Sequence, residues 1–384
     1  MNKKLLSIAA IAACMTLSFS ACDDDDKNNG KNDNGGDPDV ATNLDCTADN
    51  VKSWGNYMKI VAKLLVDDAT TLNNKWTTST EYEGGTNYAN YFKSKNGLEA
   101  AEEIVDGCNE IANEVGEAKI GDPLNLYNSG ETTKALYAVE SWYSWHSRDD
   151  YSNNILSIRN SYFGTLDGTV SEKSLSAAVK ALNPELDAKL VGEIEAARAA
   201  IQAIPQPFRN NINSPEALAA QKACNTLAES LTSDLKGALE KIGEKTLKEA
   251  VANYVDAVVV PTYANLKKGN EALKAAVDAF AANPSDDAFE DCANAWLDAR
   301  QPWETSEAFL FGPVADLGLD PNMDSWPLDQ NGIYNVLTSG KYEDLNWSGD
   351  FDEDNDAIAK AQSLRGYHTL EYLIFKDGKA RTIK

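Results

Sequence analysis

The chain carries two histidines among its 384 residues, His146 and His368, so any imidazole chemistry has to use one of them. His368 lies in the run Arg365-Gly366-Tyr367-His368-Thr369-Leu370-Glu371. On a helix, His368 and Glu371 are three apart and share a face, while Leu370, Leu373 and Ile374 can turn toward a core. An imidazole beside a carboxylate can ligate one cation, or the carboxylate can orient the imidazole. The same spacing also serves a histidine that is merely tied to its own helical neighbour. Gly366, two residues earlier, costs helix stability and so points to close approach of a backbone or a ligand.

A second constellation is Ala299-Arg300-Gln301-Pro302-Trp303-Glu304-Thr305-Ser306-Glu307-Ala308-Phe309, followed by Phe311-Gly312-Pro313. Arg300, Glu304 and Glu307 are expected on one face of a helix, where an exposed ion pair is the plain alternative. After it comes Asp324-Ser325-Trp326-Pro327, a turn that carries an aromatic. Glu140-Ser141-Trp142-Tyr143-Ser144-Trp145-His146 sets three aromatics and several polar groups into two expected helical turns, a pattern that core packing also explains.

Taken together and in this order, the 299–327 motif and Gly366-x-His368-x-x-Glu371 resemble the imelysin family. Those proteins are exported, helical and bacterial, they are associated with iron uptake, and the founding members were described as metallopeptidases. The resemblance covers nearly the whole mature body. It implies an all-α fold of two packed up-and-down helical bundle halves. It also implies a metal site of His368, Glu371, Glu307 and Glu304, an N/O donor set suited to iron or zinc. Gly366, Arg300, Trp303, Asp324, Trp326, Glu140, Ser141 and Ser144 would line the cleft between the halves. The motifs usually open the domain, yet here they close it, at 296–371, and 46–235 looks like what normally follows them. The chain therefore reads as circularly permuted, a change that moves the termini and keeps the packing.

Proteolysis is the poorer physical fit to these residues. Catalytic zinc takes three protein ligands, an open water position and a general base. HExxH is absent from the sequence, and Glu371 cannot easily be both ligand and base. A cation-binding protein that serves iron uptake, with iron-uptake components as partners, is the favoured expectation. A metallopeptidase and a purely structural surface lipoprotein are the alternatives.

The elements that must position these residues are helices. Val51, Trp54, Met58, Val61, Leu64 and Leu65 form a 3.6-residue stripe. Asn183-Pro184 and Ser214-Pro215 each supply a cap and a proline at the first helical position. A long helical pattern from Leu247 to Phe280 is expected to kink or split at Pro261. The last helix is expected from about Asp356 to Phe375, and 164–171 and 312–330 are expected as loops. A seam near 242–246 divides a first half, 44–243, from a second, 244–384.

The amino terminus reads as export machinery rather than fold. Lys3 and Lys4 precede the apolar run Leu5 to Leu17, which is too short to span a bilayer, and Ser20-Ala21 then leads into Cys22. This resembles a bacterial lipobox: residues 1–21 are a signal peptide, and Cys22 is lipidated and anchors the chain to a membrane. The acidic stretch 22–43 lacks apolar periodicity and is expected as a flexible tether. Its Asp23-Asp24-Asp25-Asp26 run resembles a surface-export signal, so an outer-membrane lipoprotein on the periplasmic or outer face is expected. Removing the leader takes away Lys3 and Lys4 and moves the formal charge from −25 to −27. That charge excludes nucleic acid as a partner. Cys46, Cys108, Cys224 and Cys292 remain, an even number that permits two disulfides but equally suits buried thiols.

Overall fold

The apolar stripes become helices nearly everywhere in the computed structural model, which describes residues 44–347 and 349–384. The signal peptide, Cys22 and the 22–43 tether lie outside the described residues. Asn183 and Ser214 cap their helices as expected, each accepting a hydrogen bond from a backbone N–H three residues on, with Pro184 and Pro215 in the first turn. Among the described residues the strands are Phe375–Lys376 and Lys379–Ala380, paired antiparallel across an Asp377-Gly378 turn with φ of 51° and 74°. No described helix is long and apolar enough to cross a membrane.

Two sets of helices share one continuous core, and all the described residues fall in one compact unit. In the first set, Val51–Thr77 packs along Val260–Ala282, which packs along Asp286–Glu304, and Gly366–Ile374 lies against the two outer members. In the second, Gly97–Asn113, Ser147–Phe163, Pro184–Ala203 and Pro215–Ser230 pack together with Glu244–Tyr254. Val51–Thr77 stands in the amino-terminal part of the sequence but packs with helices from 260 onward. The carboxyl terminus meets the first described segment: Lys384 donates to the Cys46 carbonyl at 2.9 Å, and Ala48 donates back to the Lys384 carbonyl at 3.3 Å.

Several local expectations give way for identifiable reasons. Pro261 does not break its helix; a widened π turn, Val255–Val259, absorbs it just ahead of Val260–Ala282. Pro302 sits in the last turn of Asp286–Glu304, and the helix stops two residues later, so Glu307 falls on a separate 3-10 turn, Glu307–Phe309. The expected 312–330 loop carries two short helices, Pro313–Asp316 and Leu319–Asp324. The expected last helix is two helices, Asp356–Gln362 and Gly366–Ile374. Gly366 opens the second at φ +88°, where a Cβ would stand 2.5 Å from the Met323 carbonyl oxygen. Residues 140–145 are turn rather than helix, because Ser141 and Trp145 adopt left-handed backbone at φ 53° and 61°. The four cysteines are free and buried. Burial, the largest influence on each, pushes their thiols up to about 12, which makes them inert packing groups.

Candidate metal centre around His368 and Arg300

The two helix sets meet where Ser147–Phe163 lies against Asp286–Glu304 and against the Glu307–Phe309 turn. Arg300 projects into that junction and is fully buried. Its guanidinium touches four carboxylates: Glu140 at 2.8 Å, Glu304 at 2.7 Å, Asp150 at 3.5 Å, and Asp324 in direct contact. A lone guanidinium in a dry site would be costly, and this one is matched by an excess of opposite charge.

His368 enters the same junction from Gly366–Ile374, and it too is fully buried. Its Nε2 stands 3.1 Å from Asp324 Oδ1 and 3.5 Å from Glu140 Oε1, while Nδ1 meets Glu371 Oε2 at 2.9 Å. Burial and the charge of Arg300 oppose protonation, yet Asp324 and Glu140 outweigh them and hold the imidazole well above its usual range. His368 is thus an imidazolium donating to Glu371 on one side and Asp324 on the other. Arg300 Nη2, 3.2 Å from Nε2, cannot donate to a nitrogen that already carries a proton.

Glu371 is held from outside the helix. The backbone N–H and the hydroxyl of Ser144 each donate to its Oε1 at 2.8 Å, so both carboxylate oxygens are engaged and the residue orients His368. The left-handed residues on either side of Ser144 are what free that N–H from helix pairing. Ser141 itself turns to Asp150, donating to Oδ2 at 2.5 Å. Trp303 donates from Nε1 to Asp324 Oδ2 at 2.7 Å. Trp326 sets its ring edge-on to the imidazole, 4.7 Å between centroids, and donates to the Ala138 carbonyl at 3.1 Å. Gly366 lines no cavity here; its role is the close pass of the Met323 backbone.

Behind Arg300 the acidic surplus continues. Lys119 bridges to Glu140 at 2.9 Å and to Glu114 at 3.7 Å, both it and Glu114 coming from the π-helical stretch Glu114–Gly121. Burial drives Glu304 and Glu307 well above the ordinary carboxylate range, with neighbouring carboxylates adding to it against Arg300 and Lys119. Burial and then Asp324 and Glu114 push Asp320 up to about 8, although this residue keeps more solvent contact than the other two. Asp324 goes the other way: Arg300 and His368 overcome the effect of burial and hold it far below the usual range.

The structure therefore brings His368, Glu371, Arg300, Glu304, Glu307, Asp324, Trp303, Trp326, Glu140, Ser141 and Ser144 into one junction, most of them buried and Asp324, Trp326 and Ser144 partly exposed. It also recruits residues that the sequence did not single out. Asp150 pairs with His146 Nδ1 at 2.7 Å as well as with Arg300, and the i, i+4 spacing of these two was the available signal. Lys119, Glu114 and Asn154, the last donating to Glu304 Oε2 at 2.6 Å, come from remote segments and carry no local signature, whereas Asp320 stands four residues before Asp324 on one short helix.

Three donor groups are close enough to hold a cation, each with its ligand atoms within 4.8 Å of one another: Glu140, Asp324 and His368; Glu140, Asp150 and Glu304; and Glu304, Glu307 and Asp324. The first two enclose the guanidinium of Arg300. The third shares Glu304 and Asp324 with Arg300, so an ion there would compete with the guanidinium and would need Glu304 and Glu307 to give up protons; its all-oxygen donor set suits a hard ion.

Comparison with known proteins gives the family. A crystal structure of an imelysin peptidase from Bacteroides ovatus is 54% identical to the chain with a TM-score of 0.87, over 90% of this chain and 100% of that one. Iron-regulated protein A of Synechococcus elongatus is 29% identical over 127 residues, 33% of this chain, and the match spans 31% of that relative's length. The family model described as imelysin matches residues 26–233 and 259–384, and the second segment carries Arg300, Glu304, Glu307, Asp324, His368 and Glu371. The residues that converge on His368 are thus contained in the two matched segments, and the chain belongs to the imelysin family.

Proposed function

We propose that this chain is an exported lipoprotein that binds a metal ion, iron first among the candidates, at the buried carboxylate cluster and serves bacterial iron uptake. The observation that carries the reading is the clustering of Glu304, Glu307 and Asp324 within 4.8 Å at a buried junction, where burial and neighbouring carboxylates raise Glu304 and Glu307 well above the ordinary range. A cation that replaced those protons would offset the negative charge the acids gain on losing them. Glu304, Glu307 and Asp324 would hold it, with His368 and Arg300 setting the charge of Asp324. The iron-regulated relative supports an iron-linked role. The pairing of Cys46 and Ala48 with Lys384 supports the permuted arrangement. Peptide hydrolysis is less favoured, because Arg300, Glu304, His368 and Glu371 are all fully buried and a polypeptide would have to reach them.

Calorimetric titration with ferrous and zinc ions, at about pH 7.5 and about pH 5.5, tests the site. The expected result is saturable binding that weakens about tenfold or more at the lower pH, as protons compete for the ligands. Glu307→Gln, which mimics the acid already protonated in the fold, is expected to abolish binding while leaving metal-free stability nearly unchanged. No heat of binding in the wild type, or equal binding by Glu307→Gln, would remove this assignment. For the anchor, Cys22→Ala is expected to shift the protein from the detergent phase to the aqueous phase on phase partitioning. A variant that still partitions through an acyl chain would refute lipidation at Cys22.

A further inference from the structure

The turn that holds Glu371 on one side walls a separate hollow of about 200 Å3 with the residues just before Ser144. Trp142 and Tyr143 stack at 4.0 Å between ring centroids, and Tyr137 meets Trp142 edge-on at 5.6 Å. The guanidinium of Arg209 lies over the Trp142 ring, 3.9 Å from its centroid. Arg381, only 4% exposed, also lines the hollow and donates to the carbonyls of Tyr372 and Leu44, both at 2.9 Å. Among the described residues, no carboxylate lies within ion-pair distance of Arg209 or Arg381, which is unusual in a chain of net charge −25. Lys376 lines the same space but is bound to Asp45 at 2.8 Å, and the one carboxylate on the wall, Asp377, is exposed.

Three buried donors here have no partner: Trp142 Nε1, Tyr143 Oη and Arg209 Nε. The parent residues Trp142 and Tyr143 are 5% and 3% exposed. Buried polar groups are ordinarily satisfied, so orphaned donors beside two guanidinium groups that Asp377 and Asp45 influence only from beyond ion-pair distance indicate a missing acceptor. A carboxylate suits it, since a guanidinium fork engages two oxygens at once. The aromatic walls suit a planar body stacked or set edge-on against them. An organic cation does not fit, because Arg209 already covers the face of Trp142 that would attract it. Pockets for drug-sized ligands run from about 300 Å3 upward, so this one admits about a single ring with its acid group.

We propose that this hollow binds a small aromatic carboxylate, independently of any metal at the His368 cluster. Benzoate is the probe, titrated into the full-length mature chain with EDTA present, so that the metal reading has no bearing on the result. Calorimetry and ligand-observed NMR are expected to show saturable benzoate binding, with acetate, inorganic phosphate and benzylamine each weaker by about tenfold or more. Arg209→Gln, at a half-buried position, is expected to weaken benzoate by about tenfold while the melting temperature holds, and Arg209→Lys is expected to fall between. Benzoate binding no tighter than benzylamine or phosphate, or unchanged in folded Arg209→Gln, overturns the assignment. Should Arg209→Gln fail to fold, the wild-type ranking of the four probes decides alone.

Discussion

Arg300→Met is expected to be the most damaging single substitution in the chain. The residue is fully buried and touches Glu140, Asp150, Glu304 and Asp324. Methionine would fill much of the space but remove the one cation that all four share, leaving Glu140, Asp150 and Asp324 to Lys119, His146 and His368 alone. Removing one partner of a buried charge cluster costs about 3–5 kcal/mol, a large part of the stability of an ordinary domain. The loss has a particular pH signature. The stranded carboxylates can escape by taking up protons, so the variant should recover part of its stability at about pH 5 relative to about pH 7.5. Urea unfolding of both proteins at the two pH values measures it. A variant within about 1 kcal/mol of wild type at neutral pH would show that the cluster is more hydrated than its burial implies.

The metal-free wild type is expected to lose stability steadily as pH rises from about 5 to about 9, against the usual pattern for an acidic protein. Asp320, pushed to about 8 by burial and then by Asp324, keeps a proton in the fold that the unfolded chain releases near 3.9. Its contribution is complete below about pH 4 and is lost as pH climbs through 8. Glu304 and Glu307 act in the same direction. His146 adds to them: burial disfavours its charge, but Asp150 outweighs this and raises it to about 9. That contribution is complete below about 6.5 and lost through pH 9. Asp150 works with the opposite sign, since His146 and Arg300 overcome its burial and lower it to about 2. Its stabilisation is complete above about pH 4 and fades only as pH falls toward 2, outside the window. Melting temperatures recorded with EDTA across the range check this. A flat or rising profile between about pH 5 and 9 would show that the buried acids are ionised in the fold. Addition of the bound ion should restore the lost stability most strongly at the alkaline end, where protons no longer occupy the ligands.

The same burial changes how His368 and Glu371 must be tested. A helix-surface pair could be replaced by alanines with little effect. In the fold, Glu371 is held by Ser144 and orients a fully buried imidazolium, so removing both groups would strip Asp324 and Glu140 of a partner. A double alanine variant would report on folding as much as on ligand binding. Conservative changes such as Glu307→Gln separate the two.

The sequence by itself determined the helical class, because apolar residues at 3.6-residue spacing and caps such as Asn183-Pro184 and Ser214-Pro215 act within one element. It also determined the His368–Glu371 contact, since residues three apart on a helix must meet. The ordered motif 299–327 marked Arg300, Trp303, Glu304, Glu307, Asp324 and Trp326 as belonging together, although local spacing could not tell a wet ion pair from a buried one. Tertiary structure alone decided that question. Arg300 is buried because Ser147–Phe163 and the 140–145 turn, far away along the chain, cover it. Only the fold could show that Lys119, on a π-helical stretch with no apolar periodicity to reveal it, joins Glu114 to Glu140. The pairing of Glu371 with Ser144 likewise depends on left-handed backbone at Ser141 and Trp145, residue types that give no such signal. Charge in a site is set by how completely distant segments exclude water from it, and that exclusion is a property of packing rather than of any local run of residues.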